Sequence, residues 1–302
     1  MGGVAVVTFT HVSVMPEEVL SYWVTDPEGL YVDATLGAGG HSHLLLSRYP
    51  TISLVAIDQD PAALSAARER LAPFGPHVAI RQGNFRNLKD LLTVQEVGSV
   101  HGVLFDLGVS SPQLDREDRG FGYQNPDAPL DMRMDPDSSV TAFRLVNMKP
   151  KEDITDALRK WGEERWASRI AEFIVRARQK EPIRTTGQLV ELIKAAIPAS
   201  ARRTGGHPAR RTFQALRIWV NDELEALSEG LLQALEALAP KGHVVVISFH
   251  SLEDRIVKHT FKEWQSRELG TVLTRRPLLP SEEEIERNPR AHSAKMRVFA
   301  KV

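Results

Sequence analysis

The chain has 302 residues, a formal net charge of −1 at pH 7 and no cysteine. This length suffices for about two domains with an ample core. The lack of cysteine excludes a disulfide framework and fits a reducing compartment, so a cytoplasmic location is expected. No run of about 20 apolar residues predicts a membrane span, and no basic N-terminal region predicts a secretory signal. The near-neutral charge gives no global nucleic-acid signature.

The first predicted strand leads directly into a glycine-rich turn. Leu30–Val32 is a short apolar strand, Asp33 follows it, and Gly37, Gly39 and Gly40 form the turn before a helical pattern. A strand, a glycine turn and a helix in this order let a ligand lie against bare backbone at the carboxyl end of a parallel strand. The pattern therefore predicts a nucleotide-type cofactor site.

The spacing within this turn separates two classes of cofactor. The dinucleotide fingerprint G-x-G-x-x-G would need a glycine where Ser42 stands. The pattern Asp33-x-x-x-Gly37-x-Gly39 instead resembles the first motif of S-adenosylmethionine-dependent methyltransferases, with Asp33 holding the amino acid end of the cofactor directly or through the turn. A helix N-terminus near His41 favours the methionine carboxylate. S-adenosylmethionine is the expected cofactor, and a purely structural turn is the alternative.

The second and third predicted strands each end at a residue suited to a nucleoside. Residues 52–57 form an apolar run that ends at Asp58, where nucleotide-binding α/β folds place an acid for the ribose hydroxyls. An alanine-rich helix over residues 61–71 follows, with a proline in its first turn. A third strand, residues 78–81, leads to Phe85, on which an adenine could rest; a plain core aromatic is the alternative. An NAD-dependent dehydrogenase would share these features.

The loop after the fourth strand, residues 100–105, carries the candidate catalytic groups. In this fold that loop faces the transferable group of the cofactor, so we assign the chemistry to Asp106 and to Ser110, Ser111 and Pro112. Proline at the last position excludes the nucleophile elbow G-x-S-x-G. With no cysteine, and with the His-x-His pair inside the glycine turn, no metal site is expected.

The alternation of strands and helices stops after this loop. Residues 116–137 are rich in Gly, Pro, Asp and Asn and predict an ordered loop. Helical periodicity follows over residues 151–180, 186–196 and 212–238, and a buried strand returns at residues 243–249. We expect an α/β fold with a Rossmann-like class I methyltransferase sheet, into which a helical substrate-recognition domain is inserted. The expected boundaries are 1–114 and 211–302 for the sheet and 115–210 for the insert.

Cations cluster where the predicted insert ends. Phosphate binding is the favoured interpretation, because each neutralised phosphate releases counterions; a solvated basic loop is the alternative. Arg211 and Arg217 could instead be structural ion-pair partners. His250, after the last long strand, is a further candidate for RNA contact, with helix capping as its alternative. The cluster comprises Arg202, Arg203, His207, Arg210, Arg211 and Arg217.

Five segments together resemble one family closely. They resemble the bacterial 16S ribosomal RNA cytosine-N4 methyltransferases, the MraW or RsmH family, and the resemblance runs in the right order from His11 to the last residue. Such long segments are far more specific than a glycine turn. The segments are Asp106–Asp115, Arg119–Phe121, Pro129–Met134, Arg211–Asn221 and Ser248–Arg255.

The resemblance implies transfer of a methyl group from S-adenosylmethionine to N4 of a cytosine in the decoding centre of 16S rRNA, within the small ribosomal subunit. Another RNA or DNA base as acceptor, or a non-catalytic ribosome-assembly factor with a vestigial cofactor pocket, remains an alternative. Phe121, Asp131 and Arg133 lie in family segments without an assigned role. The cofactor contacts implied by the family fall on Gly39, Gly40, His41, Asp58, Phe85, Asp106 and Gln113; spacing alone does not reach Gln113.

Cytosine N4 is a poor nucleophile because its lone pair is delocalised into the ring. Hydrogen-bond acceptors on its N–H bonds would favour a pyramidal nitrogen with the lone pair directed at the methyl group. The expected acceptors are Asp106 and the backbone of Ser110, Ser111 and Pro112. A carboxylate need take the proton only after transfer has made the nitrogen acidic.

Overall fold

The chain divides into two compact units in the computed structural model, which describes residues 13–109, 113, 118–203 and 206–302, without the side chain of Arg203. The sheet unit takes its described residues from Met1–Asp58, Ala62–Ser111 and Gly230–Val302, and the helical unit from Gln59–Pro61 and Pro112–Glu229. The helical unit thus extends beyond position 210, where the sequence placed its end. Three residues of the connection after Asp58 also belong to it.

Seven strands form one sheet in the described part of the sheet unit. Their order across the sheet is β3-β2-β1-β4-β5-β7-β6. The neighbours from β3 to β5 pair in parallel, whereas β7 is antiparallel to both β5 and β6. The strands are β1 (Leu30–Asp33), β2 (Ser53–Asp58), β3 (Val78–Gln82), β4 (Val100–Asp106), β5 (Leu238–Ser248), β6 (Gly270–Val272) and β7 (Lys295–Lys301).

Helices connect these strands and build the helical unit. None of the helices in the described residues is long and apolar enough to cross a membrane. In chain order they are α1 (Pro16–Trp23), α2 (Gly40–Arg48), α3 (Pro61–Leu71), α4 (Ala142–Met148), α5 (Lys151–Gly162), α6 (Ala167–Arg178), α7 (Thr186–Ala196), α8 (Arg210–Asn221), α9 (Glu223–Ala237), α10 (Ser251–Ser266) and α11 (Glu282–Arg287).

The core of the sheet unit follows from the apolar strand sequences. Continuous apolar runs are typical of parallel strands that are covered on both faces. The side chains from Leu54 to Ile57 in β2 are accordingly at most 1% exposed. At the antiparallel edge, Trp264 packs edge-on against Phe299, with the ring centroids 5.1 Å apart. The predicted sheet class is confirmed by this architecture.

The register of the parallel strands brings three acids to neighbouring strand ends. Asp33 of β1 pairs in register with Ala56 of β2 and Leu104 of β4. Asp58 and Asp106 are the last residues of those two strands. Carboxyl ends of parallel strands are where ligands bind in open α/β sheets. The sheet therefore places all three predicted acids on its ligand-binding edge.

Two long helices predicted from periodicity are each broken in the structure. Residues 151–180 form α5 and α6, separated where Glu163 adopts a left-handed φ of 48°. The predicted helix over residues 212–238 is α8 and α9, separated at Asp222 with φ of 50°. A left-handed residue interrupts the helical hydrogen bonds without changing the apolar period. Helix α7 is as predicted and begins with a capping box of Thr185 and Gln188.

Candidate active site

Hydrogen bonds to a neighbouring strand fix the glycine turn after β1. The N–H of Leu36 donates to the carbonyl of Ile57 at 2.9 Å. The N–H of Gly37 donates to Oδ2 of Asp58 at 2.8 Å. Gly37 and Gly39 have φ of 52° and 76°, a region that side chains with a Cβ rarely adopt. The turn therefore exposes backbone at a place where other residues would be strained.

The start of α2 is suited to a ligand that carries a negative charge. A Cβ on Gly40 would overlap the hydroxyl of Ser13, so a larger residue there would require the serine side chain to move. The N-cap residue, Gly39, offers no side-chain cap to the first N–H groups of the helix. Uncapped N–H groups at a helix N-terminus favour carboxylates and phosphates. The backbone of residues 37–41 thus fits the carboxylate end of an amino acid cofactor.

Asp33 stabilises this turn through two hydrogen bonds. Its Oδ2 accepts a hydrogen bond from the hydroxyl of Ser42 at 2.6 Å, and its Oδ1 accepts one from the N–H of Thr35 at 3.2 Å. Burial raises the pKa of Asp33 to about 6, against the opposing effects of the Ser42 hydrogen bond and of His41. Both oxygens accept hydrogen bonds from within the turn, so Asp33 holds the backbone that faces the ligand site; its contact with the cofactor, direct or through the turn, stays a prediction.

Asp106 and His41 form the polar centre of the site. The N–H of Asp106 donates to Oγ1 of Thr35 at 2.6 Å. Nε2 of His41 lies 3.5 Å from Oδ2 of Asp106, too far for a good hydrogen bond. Among the described residues, Oδ1 of Asp106 and both ring nitrogens of His41 are buried without a hydrogen-bond partner. Buried polar atoms are rarely left unpaired, so these atoms fit a polar ligand.

Phe85 is held in place at the end of β3. Its ring packs edge-on against Phe105 of β4, with the centroids 5.5 Å apart and an interplanar angle of 89°. A Cβ on Gly230 of α9 would lie 2.7 Å from Cδ2 of Phe85, so glycine permits this helix to approach closely. The Phe85 ring remains half-buried. Its contact with adenine stays a prediction.

The remaining predicted site residues lie in less direct positions. Ser110, Ser111 and Pro112 are outside the described residues. Gln113 belongs to the helical unit, where it is 4% exposed and its Nε2 donates to Oδ2 of Asp60 at 3.0 Å. Its role at the cofactor stays a prediction.

The predicted basic cluster lies in the helical unit. Arg202, Arg210 and Arg211 are exposed there, and Arg211 donates to the carbonyl of Glu163 at 3.2 Å. Arg217 is different, because it forms a double hydrogen bond with Glu223 at 2.8 Å. The structure thus shows Arg217 as an ion-pair partner and leaves three arginines at the surface.

His250 begins α10 as its N-cap. Its Nδ1 accepts the N–H of Glu253 at 3.4 Å, and Oε2 of Glu253 accepts the N–H groups of Phe249 and His250 at 2.8 and 3.2 Å. This capping box agrees with the alternative considered from the sequence. RNA contact by His250 stays a prediction.

Thr35 and Asn221 are important residues that the sequence did not single out. Thr35 links Asp33 to Asp106, and the only sequence signal is its place two residues after an aspartate, as in an Asx-turn. Asn221 ends α8 and joins it to a distant loop: its Nδ2 donates to the carbonyl of Met132, and its Oδ1 accepts the N–H of Met134, both at 2.8 Å. No local pattern predicts these distant bonds.

The family segment around Asp131 is a self-contained structural unit. Arg133 donates to both carboxylate oxygens of Asp131 and to the carbonyls of Pro136 and Ser138. Burial alone would raise the pKa of Asp131, but the Arg133 hydrogen bonds lower it below its usual value. The charges of this segment are therefore used to hold the loop together.

The parallel sheet, the antiparallel β7 and the ligand cradle at the strand ends are those of Rossmann-like class I methyltransferases. The chain thus has the fold of the S-adenosylmethionine-dependent class I methyltransferases, with a cradle that fits this cofactor.

Residues 8–302 match the MraW methylase family. The chain is 51% identical to the ribosomal RNA small subunit methyltransferase H of Symbiobacterium thermophilum, over 97% of both chains. It is 50% identical to the protein of the same name from Brevibacillus brevis, over 98% of this chain and 99% of that one. The chain belongs to the MraW methylase family, and the resemblance seen in its sequence is confirmed.

Proposed function

We propose that this protein transfers a methyl group from S-adenosylmethionine to the exocyclic N4 of a cytosine in the decoding centre of 16S rRNA. The expected substrate is the RNA of the small ribosomal subunit, in the cytoplasm. Relatives at about half identity are named small-subunit rRNA methyltransferases, which supports the substrate class. The observation that carries the chemistry is the buried Oδ1 of Asp106 at the end of β4, which has no hydrogen-bond partner among the described residues.

The sheet unit has the groups that would hold this cofactor. The uncapped N–H groups at the start of α2 suit its carboxylate. Asp58 suits the ribose: a carboxylate has about four acceptor positions, so the bond from Gly37 is compatible with that role. The Phe85 ring suits adenine. When bound, S-adenosylmethionine supplies a sulfonium methyl group that is already activated for transfer.

Asp106 is the group that we assign to the cytosine amine. Its Oδ1 can accept one N4–H bond, which withdraws the nitrogen lone pair from conjugation with the ring. As the N4–carbon bond forms and the carbon–sulfur bond breaks, the nitrogen becomes positively charged and acidic. Its proton then passes to the Asp106 carboxylate or to water, so no strong base is needed. The Thr35 hydroxyl, bonded to the N–H of Asp106, keeps the carboxylate in position.

The helical unit supplies the proposed RNA contacts. Arg202, Arg210 and Arg211 are exposed and would neutralise phosphates, so binding should weaken as salt increases. The target base must leave its stack to reach a carboxylate at the end of a strand, at a cost of roughly a few kcal/mol unless the RNA already presents it unpaired.

Mapping the modified nucleotide tests the proposal. Purified protein and labelled S-adenosylmethionine would be incubated with small subunits, with naked 16S rRNA and with DNA, and the product nucleoside identified by mass spectrometry. We expect the labelled nucleoside to be N4-methylcytidine, formed in the rRNA of the small subunit and not in DNA. Label in another base or in DNA would contradict the proposed acceptor. Absence of cofactor binding in calorimetry would favour an assembly factor with a vestigial pocket.

A further inference from the structure

Two aromatic rings of the helical unit are stacked face to face within the basic cluster. The rings of Tyr123 and His207 are 4.1 Å apart at their centroids and only 3° from parallel. Tyr123 also contacts Phe213 edge-on, with the centroids 5.7 Å apart. Phe213 is buried, whereas Tyr123 and His207 are half-buried. The buried Phe213 therefore supports a flat aromatic pair that keeps part of its surface accessible.

The two glycines next to these rings are uncrowded in the described structure. A Cβ on Gly122 or on Gly206 would meet no described atom within 4 Å outside the residues adjacent in the chain. Gly206 has φ of 83°, a conformation that favours glycine. Burial and the nearby Lys194 lower the pKa of His207, which favours the neutral imidazole. A neutral, planar and partly open pair of rings is suited to stacking with another ring.

The chain on either side of His207 carries only positive charges. No acidic residue occurs between Glu191 and Asp222. The N–H of Arg210 donates to the carbonyl of His207 at 3.0 Å, which fixes the start of α8 directly after the ring pair. No side chain caps this helix N-terminus within the described residues, and the Arg210 side chain is exposed. An arginine on an uncapped helix N-terminus provides a site for a phosphate.

We propose that Tyr123 and His207 form a stacking platform for an unpaired RNA base, with Arg210 binding the adjacent phosphate. Proteins that bind single-stranded nucleic acid combine aromatic stacking with a positive surface in this way. The methyl transfer proposed above uses neither Tyr123 nor His207, so the platform would bind RNA that flanks the target. The assignment rests on the proposed RNA substrate.

Binding to two labelled strands tests the platform. The probes are a short fluorescein-labelled single-stranded RNA and a strand of the same length in which abasic riboses replace the nucleotides. His207→Ala should weaken binding of the ordinary RNA by roughly five-fold or more, because one stacked base is lost. Binding of the abasic strand should not change. Equal losses for the two strands, or no loss for either, would overturn the stacking role.

Two further variants separate stacking from folding and from charge. His207→Phe keeps a planar ring but loses the bond from the N–H of Ala209 to Nδ1; it should retain affinity, and loss of affinity in a variant that unfolds at the wild-type temperature would contradict the platform. Arg210→Gln should weaken both strands and reduce the salt dependence by a slope of about 0.7. The matched controls are His259→Ala and Lys258→Gln, both at exposed positions of α10. An unchanged slope in Arg210→Gln would refute the phosphate contact.

These experiments distinguish failure of the platform from failure of the proposed methyl transfer. If His207→Ala methylates rRNA with unchanged KM and binds both strands normally, the platform fails and the proposed reaction stands. If the platform variants lose base-dependent binding but no N4-methylcytidine is ever formed by the wild-type protein, the proposed reaction fails and the platform stands.

Discussion

The turn after β1, with the neighbouring Asp106, and the loop over residues 118–141 both carry charged residues, but their hydrogen bonding differs. At the turn, Oδ1 of Asp106 and both nitrogens of His41 are buried without a partner in the described structure. In the loop, Asp131 and Arg133 bind each other, and Arg119 donates to the carbonyls of Arg133 and Met134. The first region leaves these polar atoms unpaired in the described structure, whereas Asp131, Arg133 and Arg119 of the second all have partners in the chain.

This difference distinguishes polar groups that are available to bind a ligand from charged groups that stabilise the fold. A buried unpaired atom is costly, by about 1–3 kcal/mol, unless something else binds it. A paired charge has already found its partner within the chain. Variants in the two regions should accordingly affect different quantities: rate or ligand affinity at the turn, and stability in the loop.

The largest effect is expected from Asp106→Asn. The amide keeps the size of the side chain but loses the negative charge and the ability to take a proton. We expect kcat for methyl transfer to fall by about 100-fold or more, since acid–base groups contribute on that scale, with little change in thermal unfolding. Transfer of labelled methyl to small subunits measures the rate. A turnover rate within a few-fold of wild type would show that Asp106 has no major role in catalysis.

The effects of Asp33→Asn and Asp131→Asn on the free energy of unfolding should depend on pH in opposite directions. The raised pKa of Asp33, about 6, means that the folded state keeps its proton, so this group costs stability as pH rises from about 4 to above 6. Asp33→Asn should therefore become more stable than wild type towards neutral pH, by up to about 3 kcal/mol. The pKa of Asp131 is lowered, so its stabilisation is present at neutral pH and is lost as pH falls.

Urea unfolding of both variants at several pH values measures these differences. Asp131→Asn should be less stable than wild type near neutral pH, and the difference should shrink in acid. If the stability difference from wild type changed in the same direction with pH for both variants, the contrast between the two regions would be contradicted.

Asn221→Ala should affect stability without affecting the chemistry. It removes two hydrogen bonds between α8 and the backbone of residues 132–134, and we expect the free energy of unfolding to fall by about 2 kcal/mol. Cofactor affinity, measured by calorimetry on the folded protein, should be unchanged. Gln179→Ala, at an exposed position in the same unit, is the matched control. A variant as stable as wild type would show that the loop does not depend on Asn221.

The smallest effect is expected from Thr35→Val. Valine has the shape of threonine but cannot accept the N–H of Asp106, so the carboxylate loses part of its positioning. We expect kcat to fall by about ten-fold, equivalent to roughly 1.4 kcal/mol, while KM for the RNA stays the same. Thr35→Ser keeps the hydroxyl and should recover most of the rate. Equal impairment of both variants would indicate a packing role only.

The strands and the glycine turn could be predicted because their signals are local. The apolar runs before Asp33, Asp58 and Asp106 identify strands, and the glycines identify a turn, without reference to the rest of the chain. The helix breaks at Glu163 and Asp222 could not be predicted, because apolar periodicity continues across both. Helix α8, which the sequence assigned to the sheet, clusters with the helical unit, and such packing depends on contacts that no local pattern records.

The sequence by itself determined the cofactor class, the family and the acids at the three strand ends. Only the tertiary structure decided which polar atoms lack partners and which are paired. The bond between Asp106 and Thr35 joins residues 71 positions apart, and the bond between Asn221 and Met132 spans 89 positions. Such bonds depend on strand register and helix packing, which arise from the fold as a whole. Local patterns therefore locate the site, and long-range contacts determine how each side chain in it is used.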